Sequence, residues 1–162
     1  LHRPSNVDEK TVLVKIARAI REISESTTVI FPVHPRTQLK IAEFHLSKYF
    51  TAPGIVMTEP IGYIETITLM ANAKLVITDS GGLQEETTYL KVPCLTLREN
   101  TERPVTVTLG TNTIIGTNTE LLLKKYNEIL IGKYKKGKRP EYWDGSTSRR
   151  ITGVLKKKLL KY

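Results

Sequence analysis

The run KLVITDSGGLQEE, Lys74 to Glu86, decides the fold. A short apolar stretch, Leu75 to Thr78, enters Asp79, Ser80, Gly81 and Gly82 and leaves as a helix through Tyr89. A strand apolar on both faces that turns straight into a helix is the unit of a parallel, helix-covered sheet. Two glycines and a hydroxyl at a helix start also make an anion site. Glycine lets a phosphate approach the backbone, unpaired N–H groups donate to it, and the helix dipole favours its charge. Glu86 lies one helical turn further in, where a carboxylate can accept the two hydroxyls of a ribose. The spacing equally allows a plain reading, in which Gly81 and Gly82 only tighten the turn and Glu85 and Glu86 complement the dipole.

The same alternation extends in both directions. Upstream, Val12 to Ile23 recur at helical spacing, with Asp8 or Asn6 as the cap. TTVIFPV, Thr27 to Val33, reads as a buried strand, Leu39 to Leu46 as a second helix, and Ile55 to Thr58 as a second strand. Ile64 to Met70 supply a third helix. Downstream follow a strand around PCLTL, the short run TNTIIG, a helix capped by Asn118 or Thr119, and a last helix from about Thr147. The β-then-α pattern, repeated about five times, predicts a Rossmann-like, doubly wound α/β domain over 1–162. Its ligands bind beyond the carboxyl ends of the strands.

Composition sets the outer limits. With 40% hydrophobic and 25% charged residues and no polar low-complexity tract, the chain reads as a folded globular domain. The single cysteine, Cys94, lies in an apolar run and is expected buried in a reducing, cytoplasmic setting. No stretch approaches the ~18 apolar residues of a membrane span, so no membrane partner is expected. The net charge of +9 raises the question of nucleic acid. The excess lies in Lys133 to Arg139 and in the terminal LKKKLLKY, without interleaved aromatics, which favours solvated surface over a nucleic-acid partner. The segment 133–140 reads as the one flexible connection. No His, Cys or Asp grouping has metal-ligand spacing, and no metal or cofactor is expected.

Two further segments carry chemistry. LRENTERPVTV, Leu97 to Val107, follows a strand and presents Arg98 and Arg103 at the sheet end. Arginine suits fork-like contact with a diphosphate. Arg103 is preferred because Pro104 suits a first helical position; pairing of the arginine with Glu99 or Glu102 is the plain alternative. His2 and Arg3 open the chain beside the first helix, where a histidine can meet phosphate charge or simply be solvated. His34 either faces the ligand or caps the turn between Pro32 and Pro35. DSGG also surrounds the nucleophile of trypsin-like proteases, but that requires an all-β barrel and a triad that His2, His34 and His45 do not suggest.

Taken in order, LHRPSNVD, EPIGYIETITLMANAKLVITDSGGLQEE, NTERPVTVTLGTN and EYWDGSTSRRI resemble the motifs of the non-hydrolysing UDP-N-acetylglucosamine 2-epimerases. The resemblance covers that family's C-terminal half and implies half of a two-domain fold like that of the GT-B glycosyltransferases, with UDP held by this half. It implies that Ser80, Gly81 and Gly82 hold the diphosphate, Glu86 the ribose and Arg103 the nucleotide, and that His2 approaches the phosphates as the catalytic residue on this side. The implied reaction interconverts UDP-N-acetylglucosamine and its manno epimer by eliminating and re-adding UDP. The carboxylates that move the sugar proton belong to the other half, so an isolated domain is expected to be inactive. Ser5 stands where the family usually has Glu, and Thr66 where some members have an aromatic near the uracil. The chain is expected to be a fragment or truncated product that docks to an N-terminal domain or self-associates. A GT-B glycosyltransferase donor domain and a basic nucleic-acid-binding module are the competing readings.

Overall fold

The computed structural model describes residues 1–159. Five short strands alternate with helices: β1 (Val29–Pro32), β2 (Ile55–Thr58), β3 (Val76–Thr78), β4 (Cys94–Thr96) and β5 (Asn112–Ile114). The helices are α1 (Pro4–Val7), α2 (Lys10–Ser24), α3 (Pro35–Glu43), α4 (Tyr63–Ala71), α5 (Gly81–Leu90), α6 (Pro104–Thr108), α7 (Thr119–Leu130) and α8 (Thr147–Leu159). Every strand pairing is parallel, as in a Rossmann-like α/β fold. The pairings form two groups, β1 with β2, and β3 with β4 and β5, with no ladder between β1 and β3. The alternation predicted the strands; it carried no sign of this division.

The core forms where the helical stripe of α2, made by Leu13, Ile16, Ala17, Ile20 and Ile23, meets Leu122 and Tyr126 of α7 and the strand side chains Phe31 and Leu95. The Tyr126 hydroxyl lies 2.7 Å from both Ser26 Oγ and Thr27 Oγ1, so this polar tip is satisfied inside the apolar cluster. Cys94 is fully buried, and burial pushes its thiol pKa up.

Local departures from the expected elements have identifiable causes. The expected first helix is α2, whose N-cap position is Glu9, in extended backbone, rather than Asp8 or Asn6, and a separate short helix, α1, precedes it. Asn6 caps nothing; it is buried, and its amide donates to Asp79 Oδ2 at 3.0 Å and to the Leu97 carbonyl at 2.8 Å. The second helix starts earlier than the apolar spacing suggested, because Pro35 occupies its first turn and His34 caps it, Nδ1 accepting the Arg36 amide at 3.1 Å. It stops at Glu43, where His45 adopts φ 57° and the Leu46 amide closes on the Ile41 carbonyl at 2.9 Å. Asn118 does cap α7, its side chain accepting the Leu121 amide at 2.9 Å.

The Lys-rich segment 133–140 is not a free connection. The Tyr134 hydroxyl donates to the Thr111 carbonyl at 2.9 Å, Lys135 Nζ donates to the Val107 carbonyl at 2.8 Å, and the Lys138 amide donates to the Leu109 carbonyl at 2.7 Å. Lys135 remains exposed as a residue, but its ammonium is engaged by the Val107 and Asn112 carbonyls, and the partial burial there lowers its pKa. The described part of the terminal basic run lies on α8, which buries no residue; residues 160–162 lie outside the described region. Among the described residues no helix is long and apolar enough to cross a membrane.

Candidate functional site

The site assembles at the carboxyl edge of β3 and β4. Asp79, immediately after β3, is fully buried and gathers the start of the chain. Its carboxylate accepts the main-chain amides of His2 (2.9 Å) and Arg3 (2.9 Å) and the Asn6 side-chain amide (3.0 Å). His2 Nδ1 lies 3.0 Å from the other carboxylate oxygen. Burial opposes the charge on Asp79, but the Leu1 ammonium and these donors outweigh it and hold the carboxyl below its ordinary pKa. Burial is also the main reason the His2 pKa is lowered; the neighbouring Asp79 charge only partly offsets it. The His2 ring stands 5.3 Å from that of His34, which thus both caps α3 and approaches the site.

Ser80, Gly81 and Gly82 open α5 at this edge. The Ser80 amide is occupied, donating to Thr78 Oγ1 at 3.0 Å, and Ser80 makes no side-chain cap. The amides that follow, at the first turn of α5, have no acceptor within the helix. The two glycines are not demanded by packing. Neither has a positive φ, and a Cβ on Gly81 or Gly82 would meet nothing nearer than Glu102 Oε2 at 3.8 Å or Ser80 Oγ at 3.9 Å. The plain reading, two glycines for a tight turn, therefore lacks a structural cause. What the glycines do is leave the helix start open.

Glu86 lies half-buried one turn into α5, its pKa raised by burial and then by the charge of Glu85. Arg103 occupies the N-cap position of α6 ahead of Pro104 without a side-chain capping bond, and directs Nε to Glu85 Oε2 at 3.0 Å. The partner foreseen for it was Glu99 or Glu102. Instead Arg98 takes both oxygens of Glu102, at 2.7 and 2.8 Å, and holds that carboxyl at a pKa of about 2. The six residues singled out in the sequence, His2, Ser80, Gly81, Gly82, Glu86 and Arg103, thus belong to the segments that meet around the start of α5.

Sequence reasoning missed three groups. Asp79 was read as the end of a strand, Asn6 as a helix cap, and Arg3 only as a neighbour of His2. Arg3 carries a buried Nε with no partner among the described residues. Behind the site, Gln84, Thr96, Thr106 and Asn112 form a buried polar network, with Asn112 donating to Gln84 Oε1 at 3.1 Å and to Thr106 Oγ1 at 3.0 Å. The short strand ends that carry these groups gave no pattern from which their partners could be read.

The arrangement suits an anionic ligand with a polar body: open helix amides for phosphate, arginines beside them, a carboxylate one turn away. The sequence pattern of the UDP-N-acetylglucosamine 2-epimerases matches residues 1–156. A UDP-N-acetylglucosamine 2-epimerase of Methanocaldococcus jannaschii is 46% identical over 158 residues, covering 96% of this chain and 43% of that protein. One from Methanococcus maripaludis is 41% identical over the same share of both. The crystal structure of the M. jannaschii UDP-GlcNAc 2-epimerase in complex with UDP-GlcNAc and UDP superposes with a TM-score of 0.85 at 44% identity, over 96% of this chain and 43% of that one. The chain spans less than half the length of these relatives.

Proposed function

Given that this chain belongs to the UDP-N-acetylglucosamine 2-epimerase family, we propose that it is a single UDP-binding domain, the C-terminal half of a two-domain GT-B-like epimerase. The diphosphate lies over the first turn of α5, on the amides that open with Gly81 and Gly82 and on the Ser80 hydroxyl. Glu86 accepts the ribose hydroxyls, and Arg103 leaves Glu85 to contact the nucleotide. His2, oriented by Asp79, faces the phosphates and stabilises the charge that develops as UDP departs. The reaction of the two-domain enzyme is reversible inversion at carbon 2 of UDP-N-acetylglucosamine, through elimination and re-addition of UDP. This half supplies leaving-group binding, and alone it binds UDP without turnover.

The observation that carries the reading is the open helix start at Gly81 and Gly82, where neither backbone conformation nor packing requires glycine. A relative solved with UDP-GlcNAc and UDP supports the choice of ligand. Calorimetric titration with UDP tests it. The chain should bind UDP, and Gly82→Asp, which places a carboxylate over the amides, should weaken binding at least about a hundredfold, or ~2.7 kcal/mol. Equal binding by both would remove the phosphate assignment. Retention on RNA at physiological salt, with UDP failing to displace it, would favour a nucleic-acid module instead.

A further inference from the structure

The polar groups behind the site close into a ring. The Arg103 amide donates to Thr101 Oγ1 at 2.9 Å, and the Thr101 hydroxyl donates to Gln84 Oε1 at 2.6 Å. Asn112 Nδ2 donates to the same Gln84 oxygen at 3.1 Å and to Thr106 Oγ1 at 3.0 Å. The Thr106 hydroxyl donates to the Arg103 carbonyl at 2.7 Å, which brings the ring back to its first residue. Every proton in it has one direction. Thr101 and Thr106 each accept one bond and donate one, and Asn112 donates both amide hydrogens while its Oδ1 accepts from Thr96 Oγ1 at 2.6 Å. The ring thus holds both main-chain polar groups of Arg103, whose backbone, at φ −123° and ψ 60°, is neither helical nor extended.

Of the ring's members, Gln84 is the one that belongs to α5, as the fourth residue of that helix. The residue after it, Glu85, holds the Arg103 guanidinium at 3.0 Å. Two consecutive residues of one helix therefore hold Arg103 at separate points, Gln84 its main chain through Thr101 and Glu85 its side chain. The two holds differ in kind. Gln84, Thr106 and Asn112 are fully buried, where hydrogen bonds are shielded from water. The Arg103–Glu85 pair has side chains 47% and 39% exposed, and an ion pair so placed is weak. An anionic ligand can draw the guanidinium away from Glu85 while the backbone that carries it stays where the ring holds it.

The other end of the Gln84 amide shows that its oxygen is the group that matters. Nε2 is buried and has no hydrogen-bond partner among the described residues, and reversing the amide would set that nitrogen against the Asn112 donor. An unpaired buried donor is destabilising, and a methionine of similar length would avoid it. What methionine lacks is an oxygen that accepts from Thr101 and Asn112 at once. We infer that Gln84 is a positioning residue: its amide oxygen fixes the main chain of Arg103 against the start of α5, so that the guanidinium swings from Glu85 to the nucleotide about a stationary backbone. This rests on the reading of Arg103 as a nucleotide contact and names what sets its place. Gln84 itself touches no ligand in this role.

Amide exchange tests the anchoring without any ligand. In Gln84→Met, exchange at the Arg103 amide should quicken at least about tenfold while amides of β1 and β2 keep their wild-type rates. Thr101→Val should do the same and Thr101→Ser should not, since serine retains the hydroxyl; Thr101 is only partly buried, so this pair carries the test where Gln84→Met fails to fold. Titration with UDP tests the purpose. Gln84→Met or Thr101→Val should weaken binding about threefold to tenfold in the wild-type background, but less than about twofold beside Arg103→Ala, because both act through that arginine. Unchanged exchange at Arg103 in both variants would overturn the inference whatever the affinities. Equal losses of affinity in the two backgrounds would do so as well, since the ring would then support α5 and not Arg103. If Arg103→Ala alone binds UDP as the wild type does, the nucleotide contact is what fails, and the positioning role falls with it although faster exchange at Arg103 is still seen.

Discussion

Asp79 and His2, 77 positions apart, are joined twice: the His2 main-chain amide donates to the Asp79 carboxylate at 2.9 Å, and His2 Nδ1 lies 3.0 Å from the other oxygen. This contact ties the first residues of the chain to the end of β3 and sets the imidazole beside the start of α5. Asp79→Asn replaces one acceptor oxygen with a donor that faces donors. We expect a loss of about 3 kcal/mol, a fall in Tm of roughly 6–12 °C, and weakened UDP binding. Thermal melts of Asp79→Asn, Asn6→Ala and the double variant check it. A non-additive pair identifies the shared network.

The same two residues give stability a pH dependence of one sign. Asp79 has a folded pKa below its ordinary 3.8, so its contribution is complete above about that pH and is lost as pH falls through the lower folded value. His2 has a folded pKa below 6.5, so the unfolded chain takes up its proton first and stability also declines as pH falls below about 6.5. Denaturant melts between pH 3 and 8 should show stability decreasing toward acid in both windows, and His2→Gln should flatten the upper one.

A neutral His2 near pH 7 also bears on the ligand. Phosphates raise the pKa of an adjacent imidazole, so binding should take up a proton. UDP affinity of the wild-type chain should rise from pH 8 to pH 6 about threefold to tenfold more than that of His2→Gln. The variant serves as the reference because UDP titrates in the same range. Parallel pH profiles for the two proteins would remove His2 from the phosphate site.

Glycine positions separate fold from site. Gly82→Ala places a methyl where nothing lies within 3.9 Å, so it should leave the fold intact or stabilise it by about 0.5 kcal/mol, while lowering UDP affinity at least ~10-fold. Gly110 is the opposite case, since a Cβ there would lie 2.4 Å from Thr88 Oγ1 and 2.5 Å from the Thr106 carbonyl. Gly110→Ala should cost about 2–3 kcal/mol by overpacking. Melts and titrations of both variants should give opposite rankings for stability and for binding.

How much of this was legible follows from the range of each signal. The short apolar runs around Phe31, Val56, Ile77, Leu95 and Ile114 announced the strands, since periodicity and β-branching are local. Asn118 announced its cap for the same reason. The partner of Asp79 was not legible, because it comes from the first turn of the chain, and neither was the choice of Glu85 by Arg103. The gap between β1 and β3 left no local mark, since each strand has the composition expected for a continuous sheet. The short helix α1 was not foreseen, because the four residues Pro4–Val7 are too few to show an apolar period.

The basic C-terminal region divides in two, and the division is measurable. The Tyr134 hydroxyl is within 2.6 Å of Thr113 Oγ1 and 2.9 Å of the Thr111 carbonyl, and burial pushes its pKa up to about 12. Tyr134→Phe removes the partner of the Thr113 hydroxyl and leaves the Thr111 carbonyl with the Cys94 amide at 3.2 Å, and should cost about 1–2 kcal/mol. Among the described residues α8 buries nothing; Ile151, Val154 and Leu155 are each more than half exposed, and Arg150 ties the helix to Asp144 and Tyr142. Deleting residues 147–162 should therefore change Tm by less than about 2 °C. The three apolar side chains lie at helical spacing on one face, so their removal should also reduce self-association at high protein concentration, as read by light scattering. A large fall in Tm on deletion would mean that α8 packs against the domain in solution, and an unchanged mass distribution would mean that its apolar face is not the surface on which copies meet.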